Sequence, residues 1–493
     1  MLGKFLKAGS WVLLANFAVK GINLFLLPLY TRFLTPADYG ILDLLTSLES
    51  LLSGVLMAGM DTALMVFVGE ARDSHERASI AKTVFLTNMA LGASALALIA
   101  CAPLLSTALF ASSRYRYVVM ISLIRVAFLV WTGSQVAWLR IEMRFSAYAL
   151  IQVMVSAVQV ALGILFVMFL HMGYMGLVIA NLVSAFGIYG VNLGFVRRCW
   201  TSGRFTPSLV KELLRFGLPL APGAISGWVL AFSDRIIIAK YIGGADVGLY
   251  GMASRFSAPI AILVAVFQGV FPSFVYNKAD REAHKAGYLR IFDLYVGAFG
   301  VVAVVYSLWA PFLMRRILPA SYSGASYPVF FVIASAFFQG ACYLTGAGMS
   351  LAKKTNISIA ISWLAACLNA GLNLAWVPRM GIAGAASATL ISTATIFFVQ
   401  WIFSERHFPF HPDRKRLVFQ MFILLCIGFV GHSILGMPIF YGRRAVVVDA
   451  LLSVVAIGLS AAWNRKEYGS GLRLARAWLA REFGPSTAGA SHL

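Results

Sequence analysis

Four basic side chains interrupt long apolar stretches of this sequence: Lys20, Arg125, Arg235 and Arg255. A charge inside a bilayer is costly, so such a residue usually faces a cavity or a partner of opposite charge. Arginine suits phosphate binding because its planar guanidinium donates to two phosphate oxygens at once. The four cations therefore predict a cationic cavity that binds an anionic, phosphate-bearing substrate.

Other polar residues within the spans are candidates to line this cavity. Asn16 and Asn23 lie about one turn on either side of Lys20, on the same helical face. The acidic candidates are Glu49, Asp61 and Asp234. Of these, Asp61 or Glu49 is expected to carry a coupling proton. A structural interpretation stays open, in which Asp43, Glu49 and Asp234 neutralise the cations or the cations reach the nearby surface.

The composition excludes a water-soluble globule, because 60% of the 493 residues are hydrophobic and only 12% are charged. The net charge of +21 would suggest nucleic acid as a partner of a soluble protein. In membrane proteins, however, Lys and Arg collect in cytoplasmic loops beside the anionic inner leaflet. The expected fold class is an all-α polytopic membrane protein, with no nucleic acid partner.

Fourteen stretches are long and apolar enough to span a bilayer as helices, which takes about 20 residues each. They are 11–33, 41–68, 80–102, 117–139, 146–170, 174–196, 216–239, 247–275, 288–310, 327–351, 356–377, 381–403, 417–435 and 445–463. The first resembles a signal peptide, but it carries Lys20 and lacks a small-residue cleavage site. It is therefore interpreted as a retained span.

The basic residues predict the orientation of these spans. The Lys and Arg within two residues of a span end are counted with the adjoining loop. With the N-terminus inside, 27 of the 40 Lys and Arg then fall on the inner side, 9 fall on the outer side, and the remaining four lie deeper within spans. This bias follows the positive-inside rule. It predicts that both termini face the cytoplasm.

Two motifs recur at an offset of 208 residues and indicate an internal repeat. Ala-Asp-x-Gly occurs at 37–40 and 245–248, and Met-Gly-x-x-Gly occurs at 172–176 and 380–384. Six spans per copy give both copies the same polarity, as two six-helix lobes around a central cavity. The expected domains are the lobes 1–200 and 208–410, an added two-helix hairpin at 411–465 and a basic amphipathic tail at 466–493.

Prolines near the start of each repeat are hinge candidates for alternating access. Pro28 interrupts the first span, and Pro219 and Pro222 interrupt the start of the seventh. Proline removes a helical hydrogen bond and bends a helix. The first helix of each lobe is thus expected to bend.

Enzyme signatures are absent from the sequence. It has no G-x-G-x-x-G, P-loop, H-E-x-x-H or G-x-S-x-G motif. His407 and His411 have metal-ligand spacing, but Pro409 and Pro412 make a helical metal face unfavourable. The five cysteines are scattered and predict neither disulfides nor a zinc site. We expect a transporter with no catalytic residues, metal or cofactor.

Three segments resemble the polysaccharide-biosynthesis flippases, called Wzx-type, of the multidrug/oligosaccharidyl-lipid/polysaccharide (MOP) exporter superfamily. They are the runs 216–220 (FGLPL), 233–238 (SDRIII) and 245–250 (ADVGLY). The run 29–40 (LYTRFLTPADYG) is similar to the same family's signature after its first helix. The resemblance covers about residues 5–410. It implies two six-helix lobes in a V shape, as in the multidrug and toxin extrusion (MATE) transporters, and twelve or fourteen spans.

The same resemblance implies the substrate class, namely undecaprenyl-diphosphate-linked sugar units that move from the cytoplasmic to the periplasmic leaflet. Expected partners are this polyprenyl-diphosphate-linked oligosaccharide, the lipid bilayer, a polysaccharide polymerase and chain-length proteins. Three alternatives stay open at this point. They are a lipid II flippase of the MurJ type, a cation-coupled multidrug antiporter and a non-transporting scaffold of a glycan-assembly complex.

Overall fold

The computed structural model describes residues 15, 17–19, 21–22, 24–275, 281–351, 354–407, 412–435 and 443–464. These residues form helices joined by short turns, and no strand occurs among them. Many large apolar side chains on the helices are exposed, which is typical of helices that pack in lipid. The prediction of an all-α polytopic membrane protein is confirmed.

The N-terminal helices form one lobe, here called the N-lobe. They are α1 (Phe17–Tyr30), α2 (Pro36–Leu56), α3 (Met60–Glu70), α4 (Ser74–Ala97), α5 (Ala102–Phe110), α6 (Arg116–Ile141), α7 (Phe145–Ile164) and α8 (Gly173–Ser202). Helix α2 begins at a capping box between Thr35 and Asp38, followed by a proline that is pre-organised for the first turn. It continues into α3 across Gly59, whose φ is +67°.

The C-terminal helices form the C-lobe and an added pair. The connecting helix is α9 (Pro207–Gly217), and the C-lobe contains α10 (Ala221–Tyr241), α11 (Gly244–Phe256), α12 (Ala258–Val275), α13 (Arg281–Leu294), α14 (Gly300–Ile317), α15 (Val329–Leu351) and α16 (Thr355–His407). The added pair is α17 (Arg414–Leu435) and α18 (Arg443–Trp463). It packs on α14, where Trp309 Nε1 donates to Ser453 Oγ at 3.2 Å.

Eleven helices in the described part of the chain are long and apolar enough to cross a membrane, or twelve if α11 and α12, bent by 44°, form one span. Two features lower this number relative to the predicted fourteen. Helix α16 is counted once although it consists of two helical segments, which the non-helical residue Gly381 separates between the predicted eleventh and twelfth spans, and α1 is a shorter apolar helix. The multi-pass architecture is confirmed, and the count of fourteen stays a prediction.

The repeat is visible in the backbone. Gly173 and Gly381 are equivalent at the offset of 208 and have φ values of +56° and +63°. Only glycine adopts this conformation without strain. The next matched glycines, Gly176 and Gly384, lie against the preceding helical segment. An added Cβ would lie 2.8 Å from Phe166 Cβ in the first case and 2.7 Å from the Trp376 carbonyl oxygen in the second. Both motifs therefore serve tight helical connections at matched places.

The lobes meet where α2 crosses α11, a contact here called the seam. These helices begin at matched positions, Pro36 and Gly244, and cross at the matched residues Gly40 and Gly248. A Cβ on Gly40 would lie 1.8 Å from the Gly244 oxygen, and one on Gly248 would lie 1.9 Å from the Pro36 oxygen. The two backbones are therefore in direct contact, which is possible only with glycine at both positions.

The hinge candidates lie in different local structures. Pro28 lies within α1, which stays helical to Tyr30. Pro219 lies in a 3-10 turn, Leu218–Leu220, that separates α9 from α10, and Pro222 lies in the first turn of α10. The predicted interruption is thus present before α10, whereas Pro28 does not end its helix. Hinge motion at these prolines and the domain boundaries stay predictions, and the tail lies outside the described residues.

Candidate functional site

An ion pair at the seam joins the two lobes. Asp43 on α2 accepts hydrogen bonds from Arg255 on α11, at 2.5 Å to Nη2 and 3.2 Å to Nη1. The guanidinium also lies over the Tyr39 ring, 5.0 Å from its centroid. Gly251 provides the room for the carboxylate, because a Cβ there would lie 1.5 Å from Asp43 Oδ2. The Asp43 side chain is 8% exposed and that of Arg255 is 34% exposed, so the pair is accessible from the arginine side.

Further contacts close the seam near the start of α2. The Tyr322 hydroxyl, in the turn between α14 and α15, donates to the Leu34 carbonyl at 2.6 Å. Burial raises the pKa of this hydroxyl, so it remains a protonated donor. The Tyr322 ring also packs edge-on against Tyr39 at 6.0 Å. Further along, Trp228 Nε1 of α10 donates to the Ser47 carbonyl at 2.8 Å. All of these contacts join one lobe to the other.

A second ion pair lies wholly inside the N-lobe. Arg125 on α6 donates to Glu49 on α2, and their side chains are 21% and 7% exposed. The carboxylate is thus withdrawn from solvent and satisfied by a cation of the same lobe. This pairing satisfies the charge of both residues without a substrate.

A third cluster lies inside the C-lobe. Arg235 Nη1 donates to Asp234 Oδ1 at 3.1 Å and to the Ala231 carbonyl at 2.6 Å. The Tyr250 hydroxyl donates to the other carboxylate oxygen of Asp234 at 2.5 Å. Asp234 is therefore held from both sides, and the cluster as a whole is neutral.

The three described intramembrane arginines are thus each paired with an acid, which is what the structural interpretation of the sequence expected. The cationic cavity predicted from the sequence would therefore carry less positive charge than four unpaired cations would give it. Lys20, Asn16 and Asn23 lie outside the described residues. Asp61, at the start of α3, forms no ion pair with any described residue, and its Oδ1 accepts from Thr62 at 3.5 Å. The roles predicted for these residues in binding and coupling stay predictions.

A cavity of about 490 Å³ lies beside the seam, and we call it the seam cavity. Helices α1, α2, α7, α8, α11 and α12 line it, and Tyr39 and Arg255 are among the lining residues. Its other polar groups include Gln159 and Asn181, whose side chains are hydrogen-bonded to each other at 2.5 Å. Arg255 is the one residue of the three pairs that lines this cavity.

A larger cavity of about 690 Å³ lies within the C-lobe between α10, α11, α12, α15 and α16, and we call it the C-lobe cavity. Asp234 and Arg235 line it together with many amides and hydroxyls that the sequence interpretation did not single out. These include Gln268, Ser335, Gln339, Tyr343, Ser358, Ser362, Thr389, Thr393 and Gln400. The signal that could have found some of them is the helical spacing of Ser335, Gln339 and Tyr343 on the apolar α15.

Comparisons with known proteins agree on the type of protein. A family model described as polysaccharide biosynthesis protein matches residues 29–326. The succinoglycan biosynthesis transport protein ExoT of Rhizobium meliloti (strain 1021) is 25% identical over 311 residues. That alignment covers 61% of this chain and 59% of the relative. The chain therefore spans about three fifths of the length of this relative.

Solved structures with 15% identity share the fold. The lipid II flippase MurJ, in an inward closed conformation, matches with a TM-score of 0.69 over 92% of this chain and 98% of its own. An inward-facing MATE-family multidrug resistance transporter of the MOP superfamily matches with a TM-score of 0.63 over 82% and 97%. At this identity the likeness shows the fold alone, and it is the fold of membrane transporters.

Proposed function

The chain belongs to the polysaccharide biosynthesis protein family, and from this premise we propose that it translocates undecaprenyl-diphosphate-linked oligosaccharides across the bacterial inner membrane. In this proposal the lipid tail stays in the bilayer while the diphosphate and the glycan pass between the lobes. No bond is made or broken, so the chain acts as a transporter without a cofactor. The domain arrangement supports it, because two lobes around cavities can expose a binding site to each side in turn.

The observation that carries the proposal is the position of Arg255. Its guanidinium lines the seam cavity, belongs to the seam and is partly exposed on the cavity side. A diphosphate that enters the cavity can form charge-assisted hydrogen bonds with it. The same bonds compete with those from Asp43, so substrate binding would weaken the contact that closes the seam. Binding and opening are thereby linked through one side chain.

The topology inferred from the basic residues gives this linkage a direction. Helices α2 and α11 begin on the outer side in that topology, so the closed seam is the outer barrier. The cavities would then receive the substrate from the cytoplasmic side. Release of Asp43 by the diphosphate would favour the outward-open state, in which the substrate leaves.

An ion gradient is the proposed energy source, with Asp61 as the coupling carboxylate. Glu49 and Asp234 are each bound by an arginine of their own lobe, so each of these carboxylates already has a cationic partner. Asp61 has no ion-pair partner among the described residues and lies beside Gly59, where α2 and α3 join. Binding of a proton or a cation there could act on that joint.

The test is deletion and complementation in a polysaccharide-producing host. We expect the deletion to abolish polymer export and to accumulate lipid-linked oligosaccharide in the inner leaflet. Arg255→Ala should reduce export in complemented cells by about 10- to 100-fold, since a hydrogen bond to a charged group contributes about 1.5–3 kcal/mol. Lys240→Ala is the matched control, because this exposed cation at the end of α10 lines neither cavity.

The other outcomes separate the alternative functions. Accumulation of lipid II with arrested wall synthesis would identify a lipid II flippase, whereas lost drug resistance with normal export would identify a multidrug antiporter. A scaffold is indicated if the deletion abolishes export and complementation with each of the variants Arg255→Ala, Asp61→Asn and Lys20→Ala restores it fully. Normal export in the deletion strain would refute the proposal.

A further inference from the structure

We propose that the C-lobe cavity is a saccharide-binding subsite that takes an uncharged portion of the transported glycan. The inference rests on the proposed function and assigns the glycan to a different place from the diphosphate. It follows from the charge, the hydrogen-bonding groups, the aromatic surface and the connections of this cavity.

The charge of the cavity favours a neutral ligand. The ionic side chains among its lining residues are Asp234 and Arg235, and they bind each other at 3.1 Å. The Asp234 carboxylate also accepts from Tyr250, and the Arg235 guanidinium donates to the Ala231 carbonyl. A diphosphate would meet a cation that is already neutralised, next to a carboxylate that repels it. The seam cavity, with the more exposed Arg255, is the better place for that group.

The polar groups of the cavity match those of sugars. Three glutamines line it, Gln268, Gln339 and Gln400, together with serine and threonine hydroxyls. An amide both donates and accepts, as adjacent sugar hydroxyls do. Gln400 Oε1 already accepts from Thr345 at 3.3 Å. A lipid tail or an apolar drug would leave the amides of Gln268 and Gln339 without partners, which is unfavourable for a buried polar group. Gln339 has no hydrogen-bonding partner among the described residues, so its amide is available to a ligand.

One aromatic ring is placed as a stacking surface. Tyr343 lies one turn after Gln339 on the face of α15 that lines the cavity, and its side chain is 51% exposed. The apolar C–H face of a pyranose packs well on the negative face of an aromatic ring. Gly346, in the next turn, leaves space beside this ring, because a Cβ there would meet only Gln400 Oε1 at 3.8 Å.

The size and connections of the cavity fit a glycan that extends away from a diphosphate. Its volume of about 690 Å³ is in the range of about 300–1,000 Å³ typical of pockets for drug-sized ligands, which suits a short oligosaccharide. Ser254 and Ser257 line both this cavity and the seam cavity. A diphosphate at Arg255 would therefore have its glycan directed past these serines towards Gln339 and Tyr343.

Binding to the purified full chain tests the assignment with two probes. The first probe is lipid-linked oligosaccharide extracted from cells that lack the chain, and the second is undecaprenyl diphosphate without sugar. We expect Gln339→Ala to weaken binding of the first probe by about 3- to 10-fold, as for a lost neutral hydrogen bond, and Tyr343→Ala by about tenfold or more. Tyr343→Phe keeps the ring and should lose only about two- to threefold. Binding of the second probe should not change in these variants.

Tyr117→Ala is the matched control, since this ring is 58% exposed at the start of α6 and lines neither cavity. The subsite is refuted if Gln339→Ala and Tyr343→Ala bind the first probe like the wild type. It is also refuted if both probes weaken equally, because the residues would then act on the fold. If the wild type binds neither probe and the deletion strain exports polymer normally, the proposed function fails, and the subsite fails with it.

Discussion

The seam and the lobe interiors both contain ion pairs, but these pairs differ in what they join. Asp43 and Arg255 belong to different lobes, whereas Glu49 and Arg125 belong to one lobe. A pair inside a lobe can move with that lobe and need not break when the lobes separate. A pair across the seam must break whenever the lobes separate there. The first kind therefore contributes to folding, and the second contributes to the free-energy difference between conformations.

The two kinds also differ in their exposure. Arg255 is 34% exposed to a cavity, while Arg125 is 21% exposed and lies between helices of one lobe. When its partner is lost, Arg255 can be solvated from the cavity, but Arg125 has less access to water. Intramembrane charges in the same chain can thus have opposite roles, and only their partners reveal which role each has. Four substitutions test this difference, in order of decreasing expected effect on stability.

Removal of the acid inside the N-lobe should have the largest effect. Glu49→Ala leaves Arg125 without its partner, and breaking a buried pair from one side destabilises a protein by about 3–5 kcal/mol. We expect low yield and a clearly lower Tm in detergent. The double variant Glu49→Ala with Arg125→Met should recover much of the loss. A wild-type Tm for Glu49→Ala would contradict the structural role.

The substitution Gly248→Ala should prevent the seam from closing without altering any charged residue. Gly248→Ala places a Cβ 1.9 Å from the Pro36 oxygen, a backbone atom that cannot move aside locally. Overpacking of this kind costs about 1–3 kcal/mol, but separation of the lobes relieves it. We expect a moderately lower Tm together with a seam that is open to water-soluble thiol reagents at an introduced cysteine.

The matched control for this prediction is Gly54→Ala on α2, where an added Cβ meets nothing within 4 Å. It should leave the accessibility unchanged and should not lower the Tm, because alanine is more favourable than glycine inside a helix. If Gly248→Ala keeps the seam closed, the glycine crossing is not the barrier between the lobes.

Loss of the acid at the seam should have a smaller effect on stability and a specific effect on conformation. Asp43→Asn removes the charge but keeps the size, and the partly exposed Arg255 is solvated from the cavity. We expect a change of about 1 kcal/mol or less in the free energy of unfolding. Distances between spin labels on the two lobes should nevertheless shift towards the open seam. Unchanged distances would show that the ion pair does not hold the lobes together.

Asp61→Asn should have the smallest effect on stability, because Asp61 has no ion-pair partner in the described part of the chain. The free energy of unfolding should change by no more than about 0.5 kcal/mol in either direction, as for a surface substitution, so the Tm should stay close to that of the wild type. Transport in vesicles should lose its dependence on the proton or cation gradient. Gradient-dependent transport in this variant would exclude Asp61 as the coupling residue.

The sequence predicts local features well and pairings poorly. The offset of 208 predicts that Gly173 and Gly381 serve the same turn, and the structure has a left-handed backbone at both. Charges inside apolar stretches were also identifiable, because each is an exception within its own helix. Their partners were not, since Asp43 and Arg255 are 212 residues apart and hydrophobic periodicity carries no information on contacts between lobes.

The C-lobe cavity was missed for the same reason. Gln268, Gln339 and Gln400 lie on three different helices, and each alone is an ordinary polar residue in a span. Only the packing of α12, α15 and α16 brings them to one cavity. The turn predicted between the eleventh and twelfth spans is present, because the non-helical residue Gly381 separates two helical segments within α16.

The glycine crossing at the seam has a consequence for the symmetry of the molecule. Matched positions meet there as they do in the two-fold interface of a homodimer, where every contact occurs twice. Asp43, however, lies against Gly251, its own equivalent in the second copy, and there is room for only one carboxylate. Two identical halves would have to carry either two acids or two glycines at this point. The ion pair between Asp43 and Arg255 is therefore not available to two identical halves, and it became possible here because the two copies within one chain have diverged.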